Sequence, residues 1–418
     1  MRTRSRARTL VVAGALLPSF LPILAGMKHL KHVIVSGDGQ AARPAHALDF
    51  DALLKNADDG FEAAATTRDD VCFWLYSSGS TGAPKGTMHI HSSMITTAYL
   101  HGGPIVGVRE DDVLFSAAKL FFAYGLGNAL TYTLAFGTTT ILMAERPTPE
   151  AVFKRLKEHR PTIFYGVPTL FAMMMASAAL PKREEVAIRL CTSAGEALPE
   201  HVGKRFSGHF GVDILDGLGS TEMLHVYLSN RPGDVRYGSS GRPVPGYRLR
   251  VVDDEGHPVA DGEVGELQVN GPTSAQGYWN NREKSHATFQ GPWTRSGDKY
   301  RIDADGRYVY SGRTDDMLKV GGIYVSPIEV ESALVTHEAV LEAAVIGRED
   351  ADRLVKPMAY VVLKPGRTPS EVLAGELREH VKLHLAPYKF PRWVEFLDEL
   401  PKTATGKIQR FKLRARLP

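Results

Sequence analysis

The stretch Val71-Cys-Phe-Trp-Leu-Tyr-Ser-Ser-Gly-Ser-Thr-Gly-Ala-Pro-Lys-Gly86 joins an apolar run directly to a segment rich in serine, threonine and glycine. The run Val71–Leu75 predicts a buried strand. Glycines let a backbone approach a ligand closely, and hydroxyls with successive N–H groups can surround phosphate oxygens. Lys85 adds a positive charge near the end of the segment. The stretch therefore predicts a phosphate-binding loop that follows a strand.

Two other phosphate-loop patterns do not fit this segment. A Walker A loop needs glycine immediately before the lysine, and Pro84 occupies that position. The dinucleotide pattern G-x-G-x-x-G is also missing from the segment. An ordinary Ser/Gly linker is the remaining alternative, and the preceding strand and the Pro-Lys-Gly ending argue against it.

Residues Ser77–Gly86 resemble the phosphate loop of the acyl-adenylate-forming (AMP-binding) enzymes, which include acyl-CoA synthetases, peptide-synthetase adenylation domains and luciferases. The resemblance implies that the loop holds the β- and γ-phosphates of ATP. In full-length members this loop lies much further along the chain, so we expect the chain to be truncated at its start. The implied ATP contacts in the loop are Ser78, Gly79, Ser80, Thr81, Gly82 and Lys85.

Composition limits the class of protein. The 418 residues are 43% hydrophobic and 23% charged, as in a soluble globular protein of two to three domains. A net charge of +3 gives no electrostatic argument for a nucleic-acid partner. The two cysteines, Cys72 and Cys191, lie in apolar runs, so we expect buried free thiols and a cytoplasmic location.

The N-terminus resembles a signal peptide, because the basic stretch Arg2–Arg8 precedes the apolar run Leu10–Gly26. Pro18, Pro22 and the lack of a clear Ala-x-Ala cleavage site favour an α/β unit instead. The run is also shorter than the roughly 20 residues of a membrane span, so no membrane is expected. The predicted elements are a strand at 9–12, a helix at 16–25 and a strand at 32–35.

Further along the chain, strands alternate with helices, which predicts a parallel sheet. From about Arg236 short strands separated by Asp-Gly turns predict a small β-barrel, and beyond Arg313 the pattern becomes α+β. The expected fold is a large α/β domain with parallel sheets and a small β-barrel subdomain, followed by a small α+β domain. We place the large domain at 1–312, its β-rich part at 236–312 and the mobile C-terminal domain at 313–418. Predicted strands are 112–116, 138–143, 161–165, 248–252, 265–269, 307–310, 340–346 and 358–363; predicted helices are 89–100, 124–136, 149–159, 167–178, 327–334 and 370–384, with Thr148 and Ser370 as N-caps.

Two glycine-containing stretches match nucleotide-binding motifs of the family. Residues Cys191–Glu196 match a turn placed against the adenine, and Asp216–Glu222 matches the family's Thr-Glu motif. An ATP site needs a carboxylate for Mg²⁺ and a hydroxyl near the α-phosphate, and the resemblance gives these catalytic roles to Glu222 and Thr221. Leu218 stands where many members have an aromatic residue that stacks on adenine. The implied adenine contacts are Gly195, Glu196, Asp216, Gly217 and Leu218.

Residues near the domain boundary complete the resemblance. Asp298 and Arg313 match residues that bind the ribose hydroxyls and phosphate. Asp315 matches the hinge about which the small domain rotates. Gly321 and Gly322 match a strand that forms one wall of the CoA pantetheine tunnel.

Residues Pro401–Arg410 contain Lys407 in the context Lys-Thr-x-x-Gly-Lys. Lys407 matches the family's adenylation lysine, which bridges the substrate carboxylate and the α-phosphate as negative charge develops. Lys402 is an alternative that lacks the Gly-Lys-Ile context.

The phrases Lys119–Asn128 and Gly219–Asn230 resemble benzoate–CoA ligases more closely than the superfamily pattern. The resemblance implies a small flat pocket, in which Gly219 leaves room for a ring and Tyr124 offers an apolar wall with a polar tip. His225 has the alternative of a satisfied structural histidine. Val226 stands where we expect isoleucine in close relatives, so a slightly larger ring is possible. The implied acid-binding residues are Ala123, Tyr124, Gly219, His225 and Val226.

The expected activity is ATP-dependent ligation of benzoate or a substituted benzoate to coenzyme A through an acyl-AMP intermediate, with ATP, Mg²⁺ and CoA as the small-molecule partners. Two alternatives stay open at this point. One is a ligase for short aliphatic acids, and the other is a truncated, catalytically impaired relative that only binds nucleotide.

Lys407→Ala should cripple adenylation by about 10²- to 10³-fold, because one preorganised positive charge is lost where negative charge develops. Thioester formation from supplied acyl-AMP should stay largely intact. Pyrophosphate release and thioester formation are measured separately, with Lys402→Ala as the matched control. Equal loss in both half-reactions of Lys407→Ala would argue against the assigned role.

Overall fold

The computed structural model describes residues 5–37, 42–78, 84–320, 323–402 and 408–417. The chain divides into two compact units. Unit 1 comprises Met1–Ser92 and Ala275–Ala287, and unit 2 comprises Ser93–Ser274 and Thr288–Pro418. The predicted boundary between residues 312 and 313 lies inside unit 2 and stays a prediction.

Unit 1 begins with the predicted strand–helix–strand unit. β1 (Thr9–Ala13) pairs in parallel with β2 (His32–Ser36), and β3 (Leu48–Asp49) extends the sheet beside β2. The connection is a 3-10 turn at Gly14–Ser19 followed by α1 (Leu21–Leu24), because Pro18 and Pro22 interrupt a longer helix. The core of this sheet consists of Val12, Leu17, Val33 and Val35. The next helix is α2 (Phe50–Lys55), whose N-terminal Ala52 amide donates to the Asp49 carboxylate.

The described residues on either side of the phosphate-loop pattern form two antiparallel strands. β4 (Val71–Ser78) pairs with β5 (Pro84–Ile90), so Ser77 and Lys85 lie in strands where the sequence predicted a loop. The predicted helix also starts later, at His91. Val71 and Cys72 are exposed, so the prediction of a buried strand and a buried Cys72 thiol is wrong at that end, although Leu75 is buried.

The main sheet of unit 2 combines parallel strands with antiparallel ones at one edge. The strand order is β12-β11-β10-β9-β8-β6-β7, with β11 and β12 antiparallel. Successive residues alternate between two apolar clusters, with Ile163 and Tyr165 in one and Phe164 in the other, as expected for a sheet covered on both faces. The strands are β6 (Val113–Ser116), β7 (Thr139–Ile141), β8 (Ile163–Gly166), β9 (Leu190–Ser193), β10 (Ile214–Gly219), β11 (Val226–Ser229) and β12 (Arg242–Pro243).

The helices beside this sheet include two stretches of π-helix. The predicted helix at 124–136 is present, but its middle, Leu126–Thr131, has π geometry, as does Ala98–Val106. Thr148 caps its helix as predicted by accepting from the Ala151 amide. The α-helices are α3 (His91–Thr97), α4 (Ala123–Gly125), α5 (Tyr132–Phe136), α6 (Pro149–Glu158), α7 (Pro168–Ala176) and α8 (Glu200–Phe210), with a 3-10 turn at Arg183–Glu185.

The predicted β-rich region is a second sheet of unit 2, in the order β13-β14-β17-β16 with β18 paired to β17. Its predicted strands at 248–252, 265–269 and 307–310 are present. The long strand at Trp293–Ile302 was not predicted, since Ser296-Gly297 interrupts its pattern. The strands of this sheet are β13 (Arg248–Val252), β14 (Gly265–Asn270), β16 (Phe289–Gln290), β17 (Trp293–Ile302) and β18 (Tyr308–Arg313). Between β14 and β16 in the sequence, β15 (Gly277–Tyr278, paired with β5) and nearly all of α9 (Arg282–Thr288) belong to unit 1.

The C-terminal part folds as predicted into an α+β arrangement. β21 and β22 pair antiparallel, β23 adds in parallel to β22, and Ser370 caps its helix by accepting from the Leu373 amide. Its core joins Val345 and Val361 to Leu377 and Val381. The elements are β19 (Leu318–Val320), β20 (Ile323–Val325), α10 (Pro327–Val335), β21 (Val340–Glu349), β22 (Val355–Leu363), α11 (Glu371–His384), a 3-10 turn (Pro387–Lys389), β23 (Trp393–Phe396) and α12 (Arg410–Arg414).

Two leucines of α11 offer a test of this packing. Leu377 is fully buried, whereas Leu383 is 83% exposed. Leu377→Ala should lower the free energy of unfolding by about 2–5 kcal/mol, because truncation leaves a cavity. Leu383→Ala should change it by less than about 0.5 kcal/mol. Urea denaturation followed by circular dichroism measures both, and similar losses in the two variants would contradict the packing.

Candidate active site

Three parallel strands end side by side and bring several of the predicted site residues to one edge. β8 ends at Gly166, β9 at Ser193 and β10 at Gly219, with Asp216 in register with Ser193. In open α/β sheets ligands bind outside the carboxyl ends of the strands. This edge of unit 2 is therefore the candidate active site.

Tyr124 and His225, both predicted to bind the acid, lie together at this edge. Their rings are nearly parallel, with centroids 5.9 Å apart and 22° between the planes. The Tyr124 hydroxyl is 2.5 Å from Thr192 Oγ1 of β9, which fixes the phenol against the sheet. Ala123 opens the same helix, and the buried Val226 begins β11. The structure thus brings four of the five predicted acid-binding residues into one neighbourhood.

His225 is 2% exposed and both of its ring nitrogens have partners. Nδ1 is 3.0 Å from the Tyr132 hydroxyl and Nε2 is 3.1 Å from Asn128 Oδ1. Burial lowers the pKa of His225 to about 4. The ring is therefore neutral at neutral pH, and its hydrogen bonds are those of the structural histidine that the sequence left as an alternative.

The glycines around His225 have packing roles. A Cβ added to Gly127 would lie 2.2 Å from His225 Cδ2, so only glycine lets the helix approach the ring this closely. A Cβ on Gly219, the fifth predicted acid contact, would lie 2.7 Å from the His225 carbonyl oxygen. The space beside Gly219 is thus occupied by backbone, where the sequence predicted room for a ring. Acid binding at Gly219 stays a prediction.

Asp216 is a buried carboxyl group on β10, with 4% of its surface exposed. Its Oδ2 is 3.5 Å from the Leu198 amide, and its Oδ1 has no hydrogen-bond partner within the described ranges. Burial raises the pKa of Asp216 to about 8. An orphaned buried oxygen at the strand edge fits the predicted contact with an adenine amino group, which can donate a hydrogen bond.

The other predicted adenine contacts surround the same edge. Gly195 has a φ of +97° and is exposed, with open space where a Cβ would stand. The Glu196 carboxylate accepts from Thr169 Oγ1 at 3.0 Å. Gly217 is buried and pairs with Ser229, while Leu218 is half-buried and packs against the core.

The predicted ribose and phosphate residues form a second group within unit 2. Asp298 is 7% exposed, and Arg313 Nη1 donates to its carboxylate at 3.0 Å across the β17–β18 pair. Burial raises the pKa of Tyr227 well above its usual value, and the charges of Asp298, Glu222 and Arg313 also act on it, so all three lie within electrostatic range of this ring. Thr221 and Glu222 are half-buried just after β10.

The predicted metal ligand is a single carboxylate. In the ranges that the structure describes, no group of three or more His, Cys, Asp or Glu side chains is arranged to hold a metal ion. Mg²⁺ bound together with a nucleotide needs only one or two carboxylates, because the phosphates supply other ligands. The oxygen chemistry of Glu222 therefore fits such an ion.

In unit 1, Lys85 is half-buried on β5. Its Nζ donates to the Tyr278 hydroxyl at 2.9 Å. Several other predicted residues lie outside the residues that can be described: Gly79, Ser80, Thr81, Gly82, Gly321, Gly322 and Lys407, together with the side chain of Ser78.

Ion pairs surround the predicted hinge. Asp315 is exposed in a turn, and its carbonyl oxygen is 3.5 Å from Arg414 Nη2. The neighbouring Asp316 pairs with both Arg410 and Arg414 of α12. Arg410 also donates to the buried Glu331 at 2.7 Å. The first residues after the hinge are thus tied to the helix that follows the predicted adenylation lysine.

Sequence reasoning missed the residues that hold the acid-binding pair. Asn128, Tyr132 and Thr192 contact His225 or Tyr124 directly, yet none was assigned a role. Asn128 stands as an amide in an otherwise apolar helix. A fully buried polar residue of this kind needs a partner, and that is the signal that could have singled it out.

The fold, together with the polar residues at the carboxyl ends of β8, β9 and β10, is that of an adenylate-forming enzyme. Residues 2–279 match the family described as AMP-binding enzyme, and residues 329–407 match AMP-binding enzyme C-terminal domain. The chain belongs to this family, and the predicted order of a large α/β domain before a small α+β domain is confirmed.

Relatives with assigned activities are similar over nearly the whole chain. Identity to a benzoate–CoA ligase of Thauera aromatica is 63%, over 99% of this chain and 78% of that protein. A solved benzoate CoA ligase from Burkholderia xenovorans LB400 superposes with a TM-score of 0.89 and 57% identity, over 98% of this chain and 80% of that one. The anthranilate CoA ligase AuaEII, solved with anthranoyl-AMP, gives a TM-score of 0.90 and 46% identity, over 98% and 78%.

The raised pKa of Asp216 predicts a pH dependence of stability. Between its unfolded value near 3.8 and its folded value of about 8, the folded chain keeps a proton that the unfolded chain releases. The free energy of unfolding should therefore fall as the pH rises through this window. Asp216→Asn should remove this dependence and become more stable relative to the parent from pH 4 to pH 8.

Urea unfolding at a series of pH values measures the effect, and the exposed Asp352→Asn serves as the matched control. A constant difference between Asp216→Asn and the parent across the window would contradict a protonated Asp216.

Proposed function

We propose that the chain is an ATP-dependent ligase that joins benzoate or a substituted benzoate to coenzyme A through an acyl-AMP intermediate. The observation that carries this proposal is the stacked pair of Tyr124 and His225 at the carboxyl ends of the parallel strands. The 63% identity to a benzoate–CoA ligase over nearly the whole chain supports the same activity.

The aromatic pair suits a flat substrate. Two nearly parallel rings favour a planar aryl group over a flexible chain, because offset and edge contacts between rings add to the buried apolar area. A neutral His225 adds no charge to this wall. The charged groups of the nucleotide site therefore bind the carboxylate of the acid.

The first half-reaction joins the acid to the nucleotide. The substrate carboxylate attacks the α-phosphorus of ATP, the bond to pyrophosphate breaks, and acyl-AMP forms. Negative groups must meet in this step, so positive side chains act mainly by electrostatic stabilisation. Asp298 binds the ribose hydroxyls, and Arg313, already aligned by Asp298, donates to ribose or phosphate.

Glu222 would hold Mg²⁺, which neutralises charge on the phosphates when it is bound. Lys407 bridges the carboxylate and the α-phosphate, and Lys85 with the loop Ser78–Gly82 binds the outer phosphates. These roles rest on the family resemblance.

The second half-reaction transfers the acyl group. The CoA thiol attacks the acyl carbonyl of acyl-AMP, and AMP leaves. Rotation about Asp315 would withdraw Lys407 and bring Gly321 and Gly322 beside the pantetheine arm. This role of the hinge and of the glycines also rests on the resemblance.

The proposed location of the enzyme is the cytoplasm. Cys72 and Cys191 are free thiols, as is usual in a reducing compartment. Across the residues described, no helix is long and apolar enough to cross a membrane.

A panel of acids tests the activity. Pyrophosphate release from ATP should be at least about tenfold faster with benzoate than with acetate or octanoate, since an aryl acid can pack against the aromatic wall that Tyr124 and His225 form. Thioester formation with CoA should follow the same order. Tyr124→Ala should lower kcat/KM for benzoate by about tenfold or more, because it removes one wall of the pocket.

The control is Tyr99→Ala, which truncates an exposed tyrosine of the same unit and should retain activity. The thermal shift with ATP is recorded for every protein. A shift without pyrophosphate release from any acid would indicate a nucleotide-binding protein and overturn the proposal. Preference for acetate would indicate an aliphatic-acid ligase.

A further inference from the structure

A chain of buried polar side chains runs behind the acid-binding pair. His101 Nδ1 is 2.7 Å from the Tyr132 hydroxyl, which is 3.0 Å from His225 Nδ1, and His225 Nε2 is 3.1 Å from Asn128 Oδ1. All four residues are at most 2% exposed. None of these contacts takes part in the two half-reactions.

The orientation of the Asn128 amide sets the direction of the hydrogen bonds in this buried polar chain. The amide oxygen lies toward His225 and can only accept, so His225 Nε2 carries the proton that meets Asn128. The Nε2 side of the ring faces the helix that contains Gly127, where an added Cβ would lie 2.5 Å from Nε2.

The proton on His225 Nε2 also sets the donor and the acceptor in the other two hydrogen bonds. A neutral His225 with its proton on Nε2 has a lone pair on Nδ1, so the Tyr132 hydroxyl must donate to it. The Tyr132 oxygen then accepts from His101, whose proton lies on Nδ1. Each of the three contacts has one donor and one acceptor, which is what burial of such groups requires.

The surroundings keep both imidazoles neutral. Burial lowers the pKa of His225 to about 4 and holds that of His101 well below its usual value, with a further lowering by His225. The groups that face His225 are Tyr124 of α4, Asn128 of the π-helical stretch, Tyr132 of α5 and His101 of the preceding π-helix. Within the described chain, none of these partners is a carboxylate that would stabilise an imidazolium.

We propose that Tyr132 is a positioning residue for the acid pocket, whose hydroxyl fixes the His225 ring as the neutral Nε2–H form with its face parallel to Tyr124. The inference rests on the proposed function and adds a specificity determinant to it. An imidazolium in the wall would attract the substrate carboxylate into the pocket, away from the α-phosphorus. A neutral ring held at both nitrogens keeps the pocket wall behind Tyr124 free of charge.

The first test reads the tautomer in the unmodified protein. Histidine-selective ¹⁵N NMR should show the Nε2–H pattern for His225, unchanged from pH 6 to pH 8, with its signals identified by their loss in His225→Gln. An Nδ1–H pattern, or a titration midpoint near 6.5, would overturn the inference. This measurement needs no turnover, so it separates failure of the inference from failure of the proposed function.

The second test removes the hydroxyl. Tyr132→Phe should raise the KM for benzoate by about three- to tenfold with kcat near the parent value, as expected for loss of one hydrogen bond. Burial rather than the Tyr132 hydroxyl lowers the pKa of His225 to about 4, so the raised KM should not change between pH 8 and pH 6. The parent KM should be flat over this range.

Tyr165→Phe is the matched control. Tyr165 is fully buried beside Tyr124 and Tyr132, and its hydroxyl has no hydrogen-bond partner among the described residues. Its KM for benzoate should match the parent at every pH. Equal effects in the two variants, or a KM for benzoate in Tyr132→Phe equal to that of the parent, would refute a positioning role for Tyr132.

Discussion

Burial of hydrogen-bonding groups in an apolar interior is the constraint on which the active-site edge of unit 2 depends. A buried polar atom without a partner costs about 1–3 kcal/mol, which favours arrangements that pair such atoms. Both nitrogens of His225 are paired, one with Tyr132 and one with the Asn128 amide oxygen, and the Tyr124 hydroxyl is paired with Thr192. These hydrogen bonds fix ring planes as well as energies, and a fixed pair of rings is what a flat substrate needs.

Residue spacing along the helix makes this pairing possible. Tyr124, Asn128 and Tyr132 recur every four residues, and residues at this spacing lie on one face of a helix. Gly127 lets that face approach His225 closely. The spacing and this glycine are thus the local conditions for the arrangement of the pocket.

Charge is placed differently in the two parts of the site. The acid side has neutral groups only, whereas Asp298, Arg313 and Glu222 gather near Tyr227. The buried Asp216 is intermediate between the two parts. It is a carboxyl group, but burial keeps it protonated, and therefore uncharged, up to about pH 8. This separation directs a negatively charged reacting group toward the nucleotide and an apolar ring toward the sheet.

The sequence by itself determined the elements whose cause is local. Thr148 and Ser370 cap helices because a side-chain oxygen lies within reach of amides a few residues away, and the strands of the parallel sheet follow from continuous apolar runs. Short motifs also determined the family, since the stretch Ser-Thr-Gly-Ala-Pro-Lys at 80–85 and the pair Thr-Glu at 221–222 identify the chemistry.

Only the tertiary structure decided which distant residues meet. The pairing of β4 with β5, the exposure of Cys72 and the closing of the space beside Gly219 depend on cross-strand neighbours. The chain from His101 to Asn128 links residues up to 124 positions apart, from His101 to His225. No local pattern carries such pairings, because the hydrogen bonds form only when packing excludes water from all partners at once.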